Sequence, residues 1–498
     1  MEELKIRNFL LKMFTTFFMV LISYTVYVSI FNSSKQFASM NYLILIVGVS
    51  ILIMLMYLLY KLLGKISCKK LILISIIAFI IMIILQICFA IYFRNNPTWD
   101  FGIVFYEARE MALGKNQLSE YFYNLYPNNI GLALLLTALF KLTIKLGPSI
   151  EAFLTVAIIF NIIIINLTIL LTYMFMRKVL GQKSATLFSI FILVITPFYA
   201  YSPIVYNDTI TMMFPVIMFL CLYIYRKDNN SKIKRILSLI GIAIAAAIGT
   251  ILKTNIVIGL VAIIIYILFT NKLLKGIVSN GIIVVIFIVA MSVFQIMAQK
   301  YIPIKYSECG LPATHWIMMG LKGPVGQFNQ EDVLFSENIK LKYGKEKVKE
   351  ENIRVIKERL KDYGINGYIE FLNDKISFTW GDGTYYSVNK LERSLEKNNN
   401  IQEYVIGSKN TLFIYISQIS HITILVMILI SAIGSFKKPA SFERSMQIGI
   451  FGVFLFLVIW EARSRYLLCY LPILIVTAFY GMNYLFKFID NIVKEKIR

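Results

Sequence analysis

Six polar residues stand at the ends of long apolar runs in this sequence: Asp100, Asp208, Lys253, Glu461, Arg463 and Arg465. A carboxylate so placed can take a proton from a hydroxyl group. Ammonium and guanidinium groups can offset the charge of a phosphate held at a bilayer surface. Each position also has a plainer reading. Asp100 opens an amphipathic segment, IVFYEAREMALGKN, and Asp208 precedes an apolar run that begins at Thr209, so both suit helix N-caps. The two roles are compatible, because a capping carboxylate still accepts a proton. Lys253 fills a two-residue gap between apolar runs, where a lysine can simply snorkel to the surface.

Weaker candidates lie nearby. YFYNLYPNNIG contains Tyr126, Asn128 and Asn129 and reads equally as an aromatic belt followed by a turn. Glu107 falls about two helical turns beyond Asp100, which puts it on the same helix face. THWIMMGLKGPVGQFNQED pairs His315 with Trp316, and FTWGDGTYYS places Trp380 beside Asp382, a natural turn residue. His421, the other of the two histidines, sits inside an apolar run, so no histidine pair is available for a metal. The sequence has no P-loop glycine fingerprint, which disfavours direct use of a nucleotide.

The elements that must position these residues are membrane helices. The chain is 58% hydrophobic, well above a soluble globular protein. Runs near 9–31, 40–62, 71–93, 151–175, 184–200, 209–225, 236–252, 255–270, 276–298, 411–434, 446–461 and 466–487 read as spans. The first follows a basic head and reads as a signal anchor. The net charge of +22 falls in short clusters between spans, as expected of cytoplasmic loops and not of a nucleic-acid groove. The run 129–147 is ambiguous. If it spans, the strong cluster RKDNNSKIKR at 226–235 is left outside. If it lies at the interface, as Lys141 and Lys145 favour, nearly every short basic cluster falls inside, down to Lys494, Lys496 and Arg498. Charge counting selects the second. The expectation is an all-α polytopic membrane protein of about twelve transmembrane helices, with outer juxtamembrane helices and both termini cytoplasmic. Its parts are two N-terminal helices (1–70), a transmembrane module (71–298) with outer loop 94–150, a mixed extracytoplasmic insert (299–410) and C-terminal transmembrane helices (411–498). Four of the five cysteines lie in or beside apolar runs, leaving no disulfide framework. The Ile-, Lys- and Asn-rich usage suggests an AT-rich, bacterial genome.

An aspartate in the first large outer loop and a second acidic residue after two further spans resemble the GT-C superfamily of membrane glycosyltransferases. The nearest branch is the group similar to protein mannosyltransferases and aminoarabinose transferases. The resemblance rests on Trp99-Asp100-Phe101-Gly102, Tyr126-Pro127-Asn128-Asn129, Arg177-Lys178-Val179-Leu180-Gly181, Asn207-Asp208-Thr209, Leu252-Lys253-Thr254, Ser464-Arg465-Tyr466 and Leu471-Pro472. It covers most of 71–270 and the end of the chain; the first two spans are additional.

The resemblance implies a sugar donor on a polyprenyl phosphate such as undecaprenyl phosphate. It implies Asp100 as general base toward an acceptor hydroxyl, with inversion as the lipid phosphate leaves. Asp208 would be a second catalytic carboxylate, and Lys253, Arg463 and Arg465 would bind the donor phosphate. Glu107, Tyr126, Asn128, Asn129, His315, Trp380 and Asp382 are then the substrate-binding candidates. The resemblance leaves a divalent cation open, with Asp100 and Asp208 as its ligands if one binds, and names no other cofactor. The acceptor would be an extracytoplasmic glycan of the cell wall, such as a teichoic acid, or a glycolipid or protein, and membrane lipid the only other partner. Competing readings are a transporter or flippase of a lipid-linked saccharide, a wall-polymer polymerase or ligase, and a membrane scaffold. Acidic residues at the outer boundary and few charges within spans weigh against transport.

Overall fold

The computed structural model describes residues 2–32, 40–147, 149–227 and 231–497. The middle of the 226–235 cluster and Arg498 lie outside them, as does the side chain of Lys496. In chain order the helices are α1 (Glu2–Phe31), α2 (Tyr42–Leu63), α3 (Cys68–Tyr92), α4 (Trp99–Ala112), α5 (Ile130–Lys145), α6 (Phe153–Leu180) and α7 (Gln182–Phe191). Two short helices follow, α8 (Pro197–Ala200) and α9 (Asn207–Ile210), then α10 (Met213–Arg226), α11 (Lys232–Leu252), α12 (Val257–Thr270) and α13 (Leu273–Gln299). The insert contributes α14 (Ala313–Met319), α15 (Gln330–Tyr343), α16 (Lys345–Trp380) and α17 (Ser387–Leu391). The chain closes with α18 (Thr411–Gly434), α19 (Glu443–Ile459) and α20 (Leu471–Ile497).

Every run read as a span is helical. Among the described residues ten helical stretches are long and apolar enough to cross a membrane. Nine coincide with the expected spans, and the tenth is Pro127–Lys145, the ambiguous run. Packing resolves that run. Gly131, at the start of α5, lies against the Ile251 carbonyl at the end of α11. Phe140 stacks on Phe153 in the first turn of α6, with ring centroids 4.6 Å apart. Arg94, just past α3, donates to Thr155 in the same turn at 3.0 Å. Both ends of α5 are therefore at the same end of the bundle, as an interfacial helix requires. The opposite end gathers the start of α1, where Arg7 bonds the Asn271 carbonyl, and the last helix, where Asp490 pairs with Lys61 at 2.8 Å.

The remaining expected spans, over α7, α12 and α19, are short. α7 gives way to a 3-10 turn at Ile192–Val194, Pro197 opens the short α8, and residues 201–206 continue as a fully buried irregular segment. Irregular backbone survives at depth only if its polar groups find partners. Asn161 of α6 supplies them: its amide donates to the carbonyls of Tyr201, Ser202 and Ile204 at 2.9, 3.0 and 3.2 Å. Its oxygen accepts from Thr209 at 2.5 Å. One side chain thus holds the bend that delivers Asp208.

The N-terminal pair is not an appendage. α1 packs on α18 and α16, and Ser29 donates to the Trp380 carbonyl at 2.9 Å. α13 is the most exposed span, presenting Val285, Ile288 and Val289 outward, a surface suited to lipid. The insert folds as a helical cap over the α5 end of the bundle. Its long helix α16 breaks at Gly364, which adopts φ 58°.

Candidate functional site

Beneath the cap lies a cavity of about 360 Å³, and Asp100 is on its wall. Asp100 occupies the first turn of α4, whose N-cap is Thr98, so it does not cap the helix. Trp99 before it has φ 53°, a left-handed conformation that a bulky residue adopts only under external constraint. The constraint is visible. A Cβ on Gly102 would lie 2.8 Å from the Pro97 carbonyl, so this tight entry needs glycine. On the outer side the 94–96 backbone pairs with 394–396: Asn96 donates to the Ser394 carbonyl and Glu396 to that of Arg94, both at 2.9 Å. Arg94 also pairs with Glu396 at 2.8 Å, and Asn95 donates to the Leu391 carbonyl at 2.8 Å.

Asp100 is 37% exposed and accepts from the Tyr121 hydroxyl at 3.1 Å. Burial, and then the Asp100 charge, push the Tyr121 phenol up, so it stays a donor. Asn129 donates to the same hydroxyl at 3.0 Å and accepts from Tyr206 at 3.2 Å. The Tyr-Pro-Asn-Asn stretch thus does more than turn the chain: buried Asn129 sets two phenols, one of which sets Asp100. Tyr126 and Asn128 line the cavity beside it.

Arg465 links the two aspartates. It donates to Asp208 at 3.0 Å and approaches Asp100 at 3.8 Å. The other oxygen of Asp208 is held by Lys253. Asp208 is 1% exposed, and with both oxygens committed it caps nothing. Lys253 is buried behind the cavity wall instead of snorkelling. The charges alternate as Asp100, Arg465, Asp208, Lys253. Arg465 also lies between the rings of Tyr206 and Tyr466, at 5.4 and 5.0 Å. Glu461 accepts from Tyr466 at 2.9 Å, and burial raises its carboxyl above the usual range.

A metal does not fit this arrangement. Among the described residues no group of three His, Cys, Asp or Glu could hold an ion. Asp100 and Asp208 both face the same guanidinium, which an ion between them would have to displace.

Four of the expected substrate contacts stand away from the cavity. His315 is fully buried and bonded to Ser336 at 2.8 Å, its other nitrogen unpartnered. Trp380 is buried against Phe454. Asp382 is spent on its own turn: it accepts from Thr384 and from the Tyr386 amide, as a Gly-Asp-Gly turn should, and from Ser464 at 2.6 Å. Glu107 faces Lys115 at 2.9 Å and the Ser119 amide at 2.9 Å, lining a separate outer groove. Helical spacing put it below Asp100, but the following loop folded back to claim it. Trp316, the neighbour of His315, does line the cavity.

Residues unmarked in the sequence complete the site. Tyr121, Tyr206, Tyr386, Lys390 and Arg393 all line the cavity. Lys390 and Arg393 are three apart on one turn after the Asp382 bend, a basic pair in an insert where long-loop charges carry no topological weight.

The fold and this site define a multi-pass, all-helical membrane protein with one polar, charged cavity at one end of its bundle. A family profile described as conserved hypothetical integral membrane protein matches residues 2–485, and the chain belongs to that family. No curated protein sequence matches. Solved structures with a similar fold include the apo oligosaccharyltransferase of Archaeoglobus fulgidus, 12% identical over 85% of this chain and 52% of that one, TM-score 0.44. Another is oligosaccharyltransferase AglB of the same organism with an inhibitory peptide and a dolichol-phosphate: 14%, 84% and 50%, TM-score 0.44. A third is ArnT from Cupriavidus metallidurans bound to undecaprenyl phosphate: 13%, 84% and 76%, TM-score 0.35. The chain spans about half the length of the oligosaccharyltransferase chains.

Proposed function

We propose that the chain is a membrane glycosyltransferase that moves a sugar from a polyprenyl-phosphate donor to an acceptor hydroxyl, with Asp100 as general base. The observation that carries this reading is one cavity holding a tyrosine-oriented, solvent-accessible carboxylate together with Lys390, Arg393, Arg463 and Arg465. Asp100 takes the hydroxyl proton as the acceptor oxygen attacks the anomeric carbon. The bond from that carbon to the phosphate oxygen breaks, its electron pair leaves with the polyprenyl phosphate, and the configuration inverts. Cations facing the departing phosphate offset its charge. Asp208 and Lys253 act by holding Arg465, not by touching substrate. Asp382 and Trp380 act as supports of the wall.

The cavity end of the bundle faces outward in this reading, with the basic clusters at 61–70, 177–183 and 272–275 at the cytoplasmic end. The acceptor is then an extracytoplasmic glycan, glycolipid or protein. The test is to incubate the purified full chain with a labelled polyprenyl-phosphate sugar and membrane extract. Label passing from lipid to an acceptor supports the reading; label staying on the lipid under all acceptors sinks it.

A further inference from the structure

Two cations converge on the hydroxyl of Tyr386, and a third lines the cavity beside them. Arg463 donates to it at 3.1 Å and Arg393 at 3.3 Å. Lys390, one turn from Tyr386, lies over the Tyr206 ring at 5.6 Å and lines the same cavity. The other site cations are already neutralised: Lys253 and Arg465 pair with Asp208. By contrast, among the described residues neither Lys390 nor Arg393 forms an ion pair, and Arg463 has Glu461 alone at 4.0 Å. Two guanidinium groups thus meet at one neutral phenol under the cap, with the Lys390 amine in the same cavity wall.

The cluster is built and not incidental. The turn at Asp382 gives Tyr385 and Tyr386 positive φ, 52° and 68°, which aims Tyr386 inward. Asp382 binds Ser464, which sits between Arg463 and Arg465, so the insert and the α19–α20 loop are joined at the cluster. Arg393 is held over Trp99 at 4.8 Å by the backbone pairing of 394–396 with 94–96. The same pairing positions Asp100.

We propose that Lys390, Arg393 and Arg463 form the clamp for the donor's phosphate, two of the three supplied by the insert, and that Lys390 takes up a proton as the phosphate binds. This rests on the lipid-phosphate reading above and deepens it by assigning the phosphate to residues other than Lys253 and Arg465. The groups facing Lys390 are Arg465, Asp100, Arg393, Asp208 and the Tyr206 ring. Burial, with Arg465 next, lowers its ammonium to about 7, Asp100 opposing. A phosphate anion arriving beside it favours the charged form.

The test measures binding of farnesyl monophosphate to the purified full chain, followed by fluorescence of Trp99 and Trp316, with inorganic phosphate as a parallel probe. Farnesyl phosphate is expected to bind more tightly than inorganic phosphate. Above pH 7 its Kd should rise, by up to about tenfold per pH unit for one proton taken up; the phosphate's own second pKa near 6 is then passed. Lys390→Gln and Arg393→Gln should each weaken binding by about 10- to 100-fold. Lys390→Arg should bind well and lose the pH dependence. Wild-type affinity in both glutamine variants would overturn the clamp while leaving the donor reading intact. Inorganic phosphate binding as tightly as the lipid, or no binding to the wild-type chain, would overturn both.

Discussion

Arg465 stands between two carboxylates, 3.0 Å from Asp208 and 3.8 Å from Asp100. The asymmetry separates their roles. Asp208 is sealed and shares its other oxygen with Lys253, so its charge is spent on holding the guanidinium. Asp100 is the partner left open to the cavity, with Tyr121 as its other contact.

The buried pair makes a stability prediction. Asp208→Asn leaves two buried cations without their counter-charge, and such losses cost about 3–5 kcal/mol. Lys253→Met leaves Asp208 its arginine and should cost less. Thermal unfolding of the double variant should lie well above the sum of the two losses, since removing both partners leaves one charge fewer to bury. Strict additivity would mean the two residues do not interact.

Tyr121→Phe removes the hydroxyl that orients Asp100. The transfer rate should fall about tenfold, in line with one lost charge-assisted hydrogen bond, with donor KM little changed. Asn129→Ala should cost more, because it frees both Tyr121 and Tyr206. A Tyr121→Phe enzyme at the wild-type rate would show that Asp100 is oriented some other way.

Asn161→Leu deprives three buried carbonyls of their donor. Each unsatisfied group costs about 1–3 kcal/mol, so the variant should unfold at markedly lower temperature or fail to accumulate. A Tm within a degree or two of wild type would mean that water or a rearranged segment replaces the amide.

Lys375 is fully buried at the root of the cap and donates to the Gly320 carbonyl. Burial holds its ammonium down to about 7. A lysine whose folded pKa lies below its unfolded value binds more protons unfolded, so its effect is to make stability rise between pH 7 and about 10.4. The Tm of the wild-type chain minus that of Lys375→Met should therefore increase with pH over this window. A constant difference would place the charged form comfortably in the fold.

Much of the frame was legible in the sequence because apolar runs and basic loops carry their information locally. Asp100, Asp208, Lys253, Arg463 and Arg465 were recognised as ionic groups at span ends, and the fold brings them to one end of the bundle. What sequence spacing could not supply was partnership. Asp208 looked like an available carboxylate, yet Lys253 and Arg465 reach it from residues 45 and 257 positions away. Lys390 and Arg393 sit in a long insert, where neither hydropathy nor loop charge singles them out. Glu107 and Asp382 had the right spacing and the right chemistry, but neighbouring backbone took both. The helix break at Pro197 was absorbed into a span because its neighbours are apolar, and the buried bend after it is held by Asn161, a residue some forty positions earlier.

The central claim is that Asp100 takes the acceptor's proton. The most direct measurement is single-turnover transfer from a labelled polyprenyl-phosphate sugar by Asp100→Asn, with farnesyl phosphate binding measured on the same preparation. The account predicts binding close to wild type and a transfer rate lower by roughly 10²- to 10⁴-fold. Transfer at the wild-type rate would contradict it.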